Sequence, residues 1–296
     1  MYNMGKTHKV LAPIVEGEES ALKVATKVNP WFLNYQTFAP EGGLSAAAVG
    51  QQIEESLADL GVESVDIMYL HAPDITTPVE ETLAAIDAAH KAGKFNEFGL
   101  SNYAAWEVAH IHGLCKAAGY VLPTVYQGMY NMFTRGVEAE LIPALRVLGM
   151  RFYAYNITAG GLLTGKHKAD DSPDEGRFNG TTLWGQAYRK RFWNGVMFSA
   201  IESLNQALDA HAAESGTTIS PFAAAIRYLA FHSKLTPEDG LILGASSSRH
   251  IVSNAATLKD GPLPESIVDA INSSAESCAS VCPSYHRSFS NAKSYQ

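Results

Sequence analysis

Apolar residues recur three or four positions apart in four stretches between residues 45 and 155. This spacing is that of the buried face of an amphipathic helix. The four faces are Val49, Ile53, Leu57 and Leu60; Val79, Leu83 and Ile86; Val108, Ile111 and Cys115; and Val137, Leu141, Leu145 and Leu148. A glycine follows each stretch, and a left-handed glycine commonly lies just past a helix end. These glycines are Gly61, Gly93, Gly119 and Gly149. The pattern predicts four helices that each run into a glycine.

Short, mostly apolar runs follow these glycines, as expected for strands buried on both faces. They cover residues 65–70, 95–100, 124–127 and 151–155, with an earlier run at 24–27 and a later one at 241–244. Strands that alternate with helices in units of about thirty residues predict a parallel sheet. Residues 165–195 break this rhythm with Asp, Gly, Asn and Arg, and we expect a long functional loop there.

Hydrogen-bonding or charged residues stand at the C-terminal ends of the six predicted strands. They are Lys27; His71; Ser101 and Asn102; Gln127; Tyr155 and Asn156; and Ser246 and Ser247. In a (β/α)8 TIM-type barrel every strand directs this end to one shared mouth. An open doubly wound sheet usually begins with a glycine-rich phosphate loop, and no G-x-G-x-x-G motif follows a strand here. The sequence therefore predicts an α/β barrel that forms a single domain over residues 1–296.

Composition narrows the range of partners. A formal charge of −8 argues against a nucleic-acid surface, which needs clustered Lys and Arg. No apolar run approaches the about 20 residues that span a bilayer, and residues 1–11 lack the apolar core of a signal peptide. Cys115, Cys278 and Cys282 are spaced too irregularly for a disulfide framework, which favours a reducing compartment. Two thiols at i,i+4 are too few for zinc. We expect a soluble cytoplasmic protein with a small-molecule partner and no metal, nucleic-acid or membrane partner.

Several motifs together resemble the aldo-keto reductase family. They are YLHAPD at residues 69–74, GLSN at 99–102, VYQ at 125–127 and GGLLTG at 160–165. Within the family the chain is most similar to the aflatoxin aldehyde reductase branch, through YQGMYN at 126–131 and GASS at 244–247. The resemblance covers nearly the whole chain. It implies NADPH-dependent reduction of an aldehyde or ketone to an alcohol, in a secondary-metabolite pathway if the chain follows the fungal members.

The resemblance also implies a catalytic set. Tyr2 would give its proton to the nascent alkoxide, Lys27 would lower the pKa of that tyrosine, and His71 would orient the carbonyl oxygen. A free phenol titrates near pH ~10, so a neighbouring cation is needed to bring proton donation towards neutral pH. A lone histidine at a strand end is commonly a structural core residue. Lys27 and the Ser-Asn pair on adjacent strands favour the catalytic role.

Cofactor and substrate contacts follow from the same resemblance. Ser101, Asn102 and Gln127 match the positions that hold the nicotinamide carboxamide, whose acceptor and donors such side chains complement, and Tyr155 matches the residue that stacks on the ring. Further implied cofactor contacts are Asn156, Gly160, Gly161, Leu162, Thr164, Gly165, Lys166, Arg177, Gly244, Ser246, Ser247, Arg249 and Asn254. The implied substrate contacts are His71, Tyr188, Arg191 and Arg287. Ile157 and Thr158 depart from the Pro and Leu that the branch usually has.

A second hypothesis stays open beside the enzyme. Relative to the family, the first strand, the first helix, most of the second strand and the aspartate that hydrogen-bonds the catalytic lysine are expected to be missing before Tyr2. Open barrel edges expose unpaired backbone and favour association, so a homodimer is expected. The missing aspartate favours a catalytically silent fold that acts as a cofactor-binding or partner-binding scaffold. Retention of Tyr2, Lys27 and His71 favours the reductase.

Overall fold

The computed structural model describes residues 6–15, 22–31, 43–245 and 248–287. Within these residues helices and strands alternate along the chain as far as β5, after which helices predominate. The strands are β1 Ala25–Val28, β2 Val65–Leu70, β3 Phe95–Ser101, β4 Pro123–Met129, β5 Arg151–Tyr155 and β6 Gly240–Leu241. The helices are α1 Lys6–Val15, α2 Ala46–Leu60, α3 Val79–Lys91, α4 Ala105–Ala118, α5 Leu141–Val147, α6 Leu183–Phe192, α7 Gly195–Ser215, α8 Pro221–Phe231, α9 Ser248–Thr257 and α10 Glu265–Cys278.

The chain divides into two compact units. The first comprises Met1–Gln127, Ala144–Arg151 and His286–Gln296. Its strands β1 to β4 pair in parallel and in sequence order. The register sets Lys27 beside Tyr69, Tyr69 beside Gly99, and Ser101 beside Gln127. Adjacent parallel strands present their C-terminal ends at one edge, so these residues meet there.

Helix α2 shows how the sequence fixes the elements around this sheet. The Ser45 hydroxyl accepts a hydrogen bond from the Ala48 amide at the helix start, which satisfies one of the unpaired N–H groups there. The apolar stripe that includes Val49 and Ile53 is buried. Gly61 ends the helix at φ +69°, a conformation that costs glycine nothing. All four glycines predicted to follow helices have positive φ, which confirms their proposed position.

The second unit comprises Gly128–Pro143 and Phe152–Tyr285. Strands β5 and β6 pair in parallel, with Tyr153 beside Gly240, and the Ile242 amide extends the ladder by donating to the Ala154 carbonyl at 2.8 Å. Helices α7 and α10 pack against each other through apolar faces. The α7 face includes Ile201 and Leu204, and each of these side chains is buried.

Three predicted elements differ from the structure. Residues 137–140 form a turn, so α5 begins at Leu141 rather than at Val137. Strand β6 has two residues, whereas four were predicted. The expectation of a loop over residues 165–195 is wrong for Leu183–Phe192, which is helical. There the Thr182 hydroxyl accepts from the Gly185 amide, and Phe192 is buried. Half of the residues of this helix are polar or glycine, and this mixture hid it from the apolar pattern.

Two further expectations bear on the whole chain. No helix in the described ranges is long and apolar enough to cross a membrane. The prediction of a single domain stays a prediction.

Candidate active site

In the first unit, Lys27 lies over the ring of Tyr69. Its Nζ is 5.2 Å from the ring centroid, within the range of a cation–π attraction. The two residues are register partners on β1 and β2. Burial lowers the pKa of Lys27 from 10.5 to about 8, because a desolvated ammonium is less favourable than the neutral amine. Lys27 is therefore a cation at neutral pH that loses its proton in mildly alkaline solution.

His71 follows β2, and its backbone is held from both sides. Its amide donates to the Val28 carbonyl at 2.9 Å, and its carbonyl accepts from Asn102 Nδ2 at 2.7 Å. The same Asn102 nitrogen lies 3.0 Å from Ser101 Oγ. Asn102 has φ +64°, an uncommon conformation for a residue with a side chain, and one found where the surroundings fix it. The Ser-Asn pair at the end of β3 thereby fixes the end of β2.

The His71 ring lies in a positively charged and aromatic environment. Its centroid is 5.7 Å from that of Trp31, edge to face, and the Arg287 guanidinium is 4.9 Å from the Trp31 ring. The Arg287 amide donates to the Asn102 carbonyl at 2.8 Å. Burial first, and then the charges of Lys27 and Arg287, lower the pKa of His71 to about 3. His71 is therefore neutral at physiological pH, and a neutral imidazole can donate a hydrogen bond without giving up its proton.

In the second unit, the end of β5 is fixed by a neighbouring turn. The Tyr155 carbonyl accepts from the Tyr130 amide at 3.1 Å, and the Asn156 carbonyl accepts from Asn131 Nδ2 at 3.3 Å. Asn156 has φ +63°, so it repeats the left-handed asparagine seen after β3. Asn131 is fully buried. The two asparagines give Tyr155 a rigid support.

A glycine-rich turn follows, at Ala159–Thr164. Three consecutive residues have positive φ, with values of +49° for Ala159, +73° for Gly160 and +103° for Gly161. Successive backbone N–H groups in such turns form concave sites that suit anions. A Cβ on Gly160 would lie 2.6 Å from the Tyr188 ring, whereas one on Gly161 would meet open space. The turn is thus closely packed on one side and open on the other.

Two guanidinium groups flank Tyr188 of α6. The Cζ of Arg177 is 5.3 Å from the ring centroid and that of Arg191 is 6.0 Å. Arg177 Nη1 also lies 3.4 Å from the Tyr188 hydroxyl. Tyr188 packs edge to face on the buried Phe178. The arrangement provides two positive charges beside the glycine-rich turn.

Comparison with known proteins identifies the family of the chain. A model of the aldo/keto reductase family matches residues 1–276. The chain belongs to this family. It is 45% identical to aflatoxin B1 aldehyde reductase member 2 of Homo sapiens over 295 residues, which cover 97% of this chain and 79% of that protein. It is 44% identical to the Homo sapiens member 4 over 293 residues, 96% of this chain and 85% of that protein.

A fungal relative gives a third comparison. The chain is 38% identical to an aldo-keto reductase of Pseudocercospora fijiensis over 279 residues, 91% of this chain and 88% of that protein. Membership of the aldo/keto reductase family makes the chain an oxidoreductase. It also confirms the predicted fold class, the α/β TIM-type barrel of the family. The expected absence of the first strand, the first helix and most of the second strand stays a prediction.

The structure distributes the predicted site residues between the two units. The first unit holds Lys27, His71, Ser101, Asn102, Gln127 and Arg287, and the second holds Tyr155, Asn156, Gly160, Gly161, Leu162, Thr164, Gly165, Lys166, Arg177, Tyr188, Arg191, Gly244, Arg249 and Asn254. Tyr2, Ser246 and Ser247 lie outside the described residues, as does the side chain of Arg249. Within the first unit the charges of Lys27 and Arg287 lower the pKa of His71. Within the second, Arg177, Tyr188 and Arg191 are in contact, while Asn254 is buried on α9.

Sequence reasoning missed three residues that shape these sites. Tyr69 lies under Lys27, Trp31 lies beside His71, and Asn131 supports Asn156. One signal was available for Tyr69, because side chains two apart on a strand share a face and His71 comes two residues later. Trp31 and Asn131 are in turns, where no periodicity indicates what a side chain touches.

The residues present fit the NAD(P)H that the family generally uses. Planar amide and hydroxyl groups at Ser101, Asn102 and Gln127 suit a carboxamide, and the open positive-φ turn at Ala159–Thr164 suits a phosphate. Within the described ranges no group of three or more potential metal ligands occurs.

Proposed function

We propose that the chain reduces an aldehyde or ketone to the alcohol, with NADPH as the hydride donor. The observation that carries the proposal is the buried, charged Lys27 beside a neutral His71 at adjacent strand ends, in a chain of the aldo/keto reductase family. A lysine and a histidine in this electrostatic state suit proton transfer to an alkoxide.

Lys27 supplies the positive charge. A cation close to a phenol stabilises the phenolate and lowers its pKa. By family resemblance Tyr2 is that phenol and gives its proton to the carbonyl oxygen as the alcohol forms. The pKa of Lys27, about 8, leaves most of the charge in place at neutral pH. The Tyr69 ring contacts the ammonium, with its centroid 5.2 Å from Lys27 Nζ.

His71 supplies a hydrogen bond without supplying a proton. Because its pKa is about 3, the neutral imidazole can donate one N–H to the substrate carbonyl oxygen and keep that proton. The hydrogen bond orients the carbonyl towards the acid. Asn102 fixes the His71 carbonyl at 2.7 Å, so the residue starts from a defined backbone position.

The cofactor supplies the hydride when bound. In the first unit, Ser101, Asn102 and Gln127 are the proposed partners of its carboxamide. In the second unit, Tyr155 is the proposed stacking residue, and the turn at Ala159–Thr164 is the proposed phosphate contact. Family resemblance adds the remaining contacts in both units, with Arg249 for the 2′-phosphate.

We propose that the substrate is an acidic or polar carbonyl compound. Tyr188, Arg191 and Arg287 match the substrate contacts of the branch, and arginine suits a carboxylate because its fork of N–H groups pairs with two oxygens. Related proteins in Homo sapiens carry the name aflatoxin B1 aldehyde reductase. For this chain we propose a role in secondary metabolism, a cytoplasmic location and a homodimer.

Titration with dinucleotides, followed by a carbonyl panel, tests the function. We expect saturable binding of NADPH that is tighter than that of NADH, and oxidation of NADPH with at least one aldehyde or ketone. Tyr2→Phe should lower turnover by a factor on the order of 10²–10⁴, the scale of a positioned general acid. Tyr120→Phe, at the end of α4, is the matched control and should leave turnover unchanged.

The outcomes separate the two hypotheses. Absence of dinucleotide binding contradicts the proposal. Binding of NADPH without reduction of any carbonyl supports the scaffold hypothesis instead. Reduction that persists in Tyr2→Phe at the full rate shows that Tyr2 is not the acid.

A further inference from the structure

Two of the three cysteines lie together at the end of α10 in the second unit. Cys278 is the last residue of the helix, a single 310 turn at Ala279–Val281 follows, and Cys282 comes next. Cys278 Sγ donates to the Ala275 carbonyl at 3.6 Å and Cys282 Sγ donates to the Phe133 carbonyl at 3.5 Å, and the two thiols lie close enough for each to shift the pKa of the other. Cys278 is fully buried, whereas Cys282 is half-buried. The pair therefore has one accessible and one protected sulfur.

Cys282 has the surroundings of a reactive thiol. The neighbouring Cys278 thiol first, and then the Thr134 hydroxyl, which donates to Cys282 Sγ at 3.9 Å, lower the pKa of Cys282 to about 7 against the effect of burial. Both groups stabilise the thiolate, which is the nucleophilic form. Cys115 on α4 is the opposite case, since burial raises its pKa to about 12 and its side chain is inaccessible.

We propose that Cys278 and Cys282 form a dithiol modification site that a peroxide converts to a disulfide, and that this conversion loosens the turn at residues 131–134. The accessible Cys282 is the attacking sulfur, and the buried Cys278 resolves the intermediate. Neither sulfur belongs to the proposed catalytic or cofactor-binding set.

The chemistry balances with hydrogen peroxide or an organic hydroperoxide as the oxidant. The Cys282 thiolate attacks one peroxide oxygen, the O–O bond breaks, and the sulfur becomes a sulfenic acid as water or alcohol leaves. The Cys278 sulfur then attacks the sulfenic sulfur, an S–S bond forms, and a second water leaves with the Cys278 proton. Each sulfur gives up one electron, and the peroxide takes up two.

Formation of the disulfide would move Cys282 away from the turn at residues 131–134, which its thiol now contacts. Cys282 Sγ lies 3.5 Å from the Phe133 carbonyl and 3.9 Å from Thr134 Oγ1. Disulfide geometry requires the two sulfurs to approach to about 2.05 Å, well inside the contact distance of two free thiols. The half-buried Cys282 is the sulfur with room to move, and in moving it loses its thiol hydrogen and both contacts with the turn.

The turn connects this site to the end of β5. Asn131 Oδ1 accepts from the amides of Phe133 at 3.1 Å and Thr134 at 2.8 Å. Asn131 Nδ2 donates to the Asn156 carbonyl, next to the proposed stacking residue Tyr155. If oxidation of the two cysteines loosens this turn, the hydrogen bond from Asn131 to the backbone after β5 is weakened as well.

Peptide mapping after oxidation tests the chemistry. The full-length protein is treated with hydrogen peroxide, denatured, alkylated with iodoacetamide and cleaved with trypsin. Residues 260–287 form one tryptic peptide with both sulfurs, and residues 95–116 form another with Cys115. We expect the first peptide to lose two hydrogens and carry no label, the second to stay labelled, and dithiothreitol to restore both labels on the first. Cys278→Ser and Cys282→Ser should each prevent the loss of hydrogens.

Hydrogen exchange tests the link to the turn. We expect about fivefold faster amide exchange at residues 131–134 and 155–159 after oxidation, the size that follows from loss of one modest hydrogen bond. Cys278→Ser under the same peroxide should show no such change. Full labelling of Cys278 and Cys282 after peroxide overturns the proposal. A disulfide that leaves exchange in both segments unchanged overturns the connection to β5.

Discussion

At the scale of single residues, burial lowers the pKa of Lys27 to about 8, within the pH range of an ordinary enzyme assay. As pH rises through about 8, Lys27 becomes neutral and the charge that stabilises a neighbouring phenolate disappears. We predict that kcat for carbonyl reduction falls across this pH, and that Lys27→Met abolishes both the fall and most of the rate. Lys27→Arg keeps its charge and should move the fall to higher pH.

The measurement is kcat against pH for each variant. Lys116→Met, which removes an exposed lysine on α4, should follow the wild-type profile. Identical profiles for the wild type and Lys27→Met contradict the role given to Lys27.

Gly99 allows the Tyr69 ring to lie across β3. A Cβ at this position would be 2.4 Å from a Tyr69 ring carbon, a distance that real contacts do not reach. We predict that Gly99→Ala lowers the free energy of unfolding by about 1–3 kcal/mol, the usual cost of overpacking a core, and reduces turnover by moving Tyr69 from Lys27. Urea unfolding and steady-state kinetics measure the two effects.

Gly113 provides the matched control. It lies within α4, and a Cβ there would meet nothing within 4 Å. Because alanine is the better helix former, Gly113→Ala should raise the free energy of unfolding by about 0.5–1 kcal/mol. If Gly99→Ala is as stable as Gly113→Ala, the close approach at Tyr69 is not real.

At the scale of elements, the glycine-rich turn at Ala159–Thr164 fixes the position of α6. Gly160 and Gly161 both have positive φ, so alanine at either site bears a backbone cost of about 1–2 kcal/mol. At Gly160 alone the new Cβ would also collide with Tyr188 at 2.6 Å. We predict that Gly160→Ala lowers the urea midpoint more than Gly161→Ala does, and increases hydrogen exchange in α6. Equal losses in the two variants would remove the steric part of this explanation.

Comparison of the helices and strands with the predictions shows which parts of the fold the sequence alone indicates. Strands β2 and β5 and the helix-ending glycines were predicted, because apolar periodicity and glycine conformation are local properties. Helix α6 was missed, since half of its residues are polar or glycine and its N-cap at Thr182 is a short-range hydrogen bond. The pairing of Lys27 with Tyr69 depends on strand register, and that register is set by contacts between distant segments.

The candidate site was predicted unevenly for the same reason. Resemblance of motifs supplied Lys27, His71 and the Ser-Asn pair as candidates. It could not supply the neutral state of His71, because that state depends on burial and on the charge of Arg287, which is more than two hundred residues away in sequence.

At the scale of the whole molecule, carboxylates that accept hydrogen bonds contribute to stability in acid. Burial raises the pKa of Asp74, Asp87 and Glu97, but hydrogen bonds outweigh it and leave each pKa below its ordinary value. The partners include Lys91 for Asp87 and Arg151 for Glu97. A folded-state pKa below that of the unfolded chain contributes stability above the unfolded pKa and loses it as pH falls.

We therefore predict that the free energy of unfolding falls as pH drops below about 6.5, because the unfolded chain then protonates His71 while the folded chain does not, and that it falls further as the ordinary carboxyl range near pH 4 is entered. Urea unfolding at a series of pH values measures this. Asp87→Asn should reduce the decrease, because one linked proton is removed, while Asp209→Asn on the exposed side of α7 serves as the control. A decrease that Asp87→Asn leaves unaltered would show that other groups control it.

The setting of Trp31 makes this residue a built-in optical reporter. The chain has four tryptophans, and Trp106 and Trp184 are largely exposed to solvent, so a water-soluble quencher such as acrylamide can suppress much of their emission. Trp31 remains beside His71. A protonated imidazole quenches indole strongly and a neutral one does so weakly, so with a His71 pKa of about 3 the emission of Trp31 should not drift across the neutral range. Trp193 is also half-buried, so in a Trp193→Phe variant a spectral change during a titration at constant pH reports an event at the Lys27–His71 strand ends, without any attached dye.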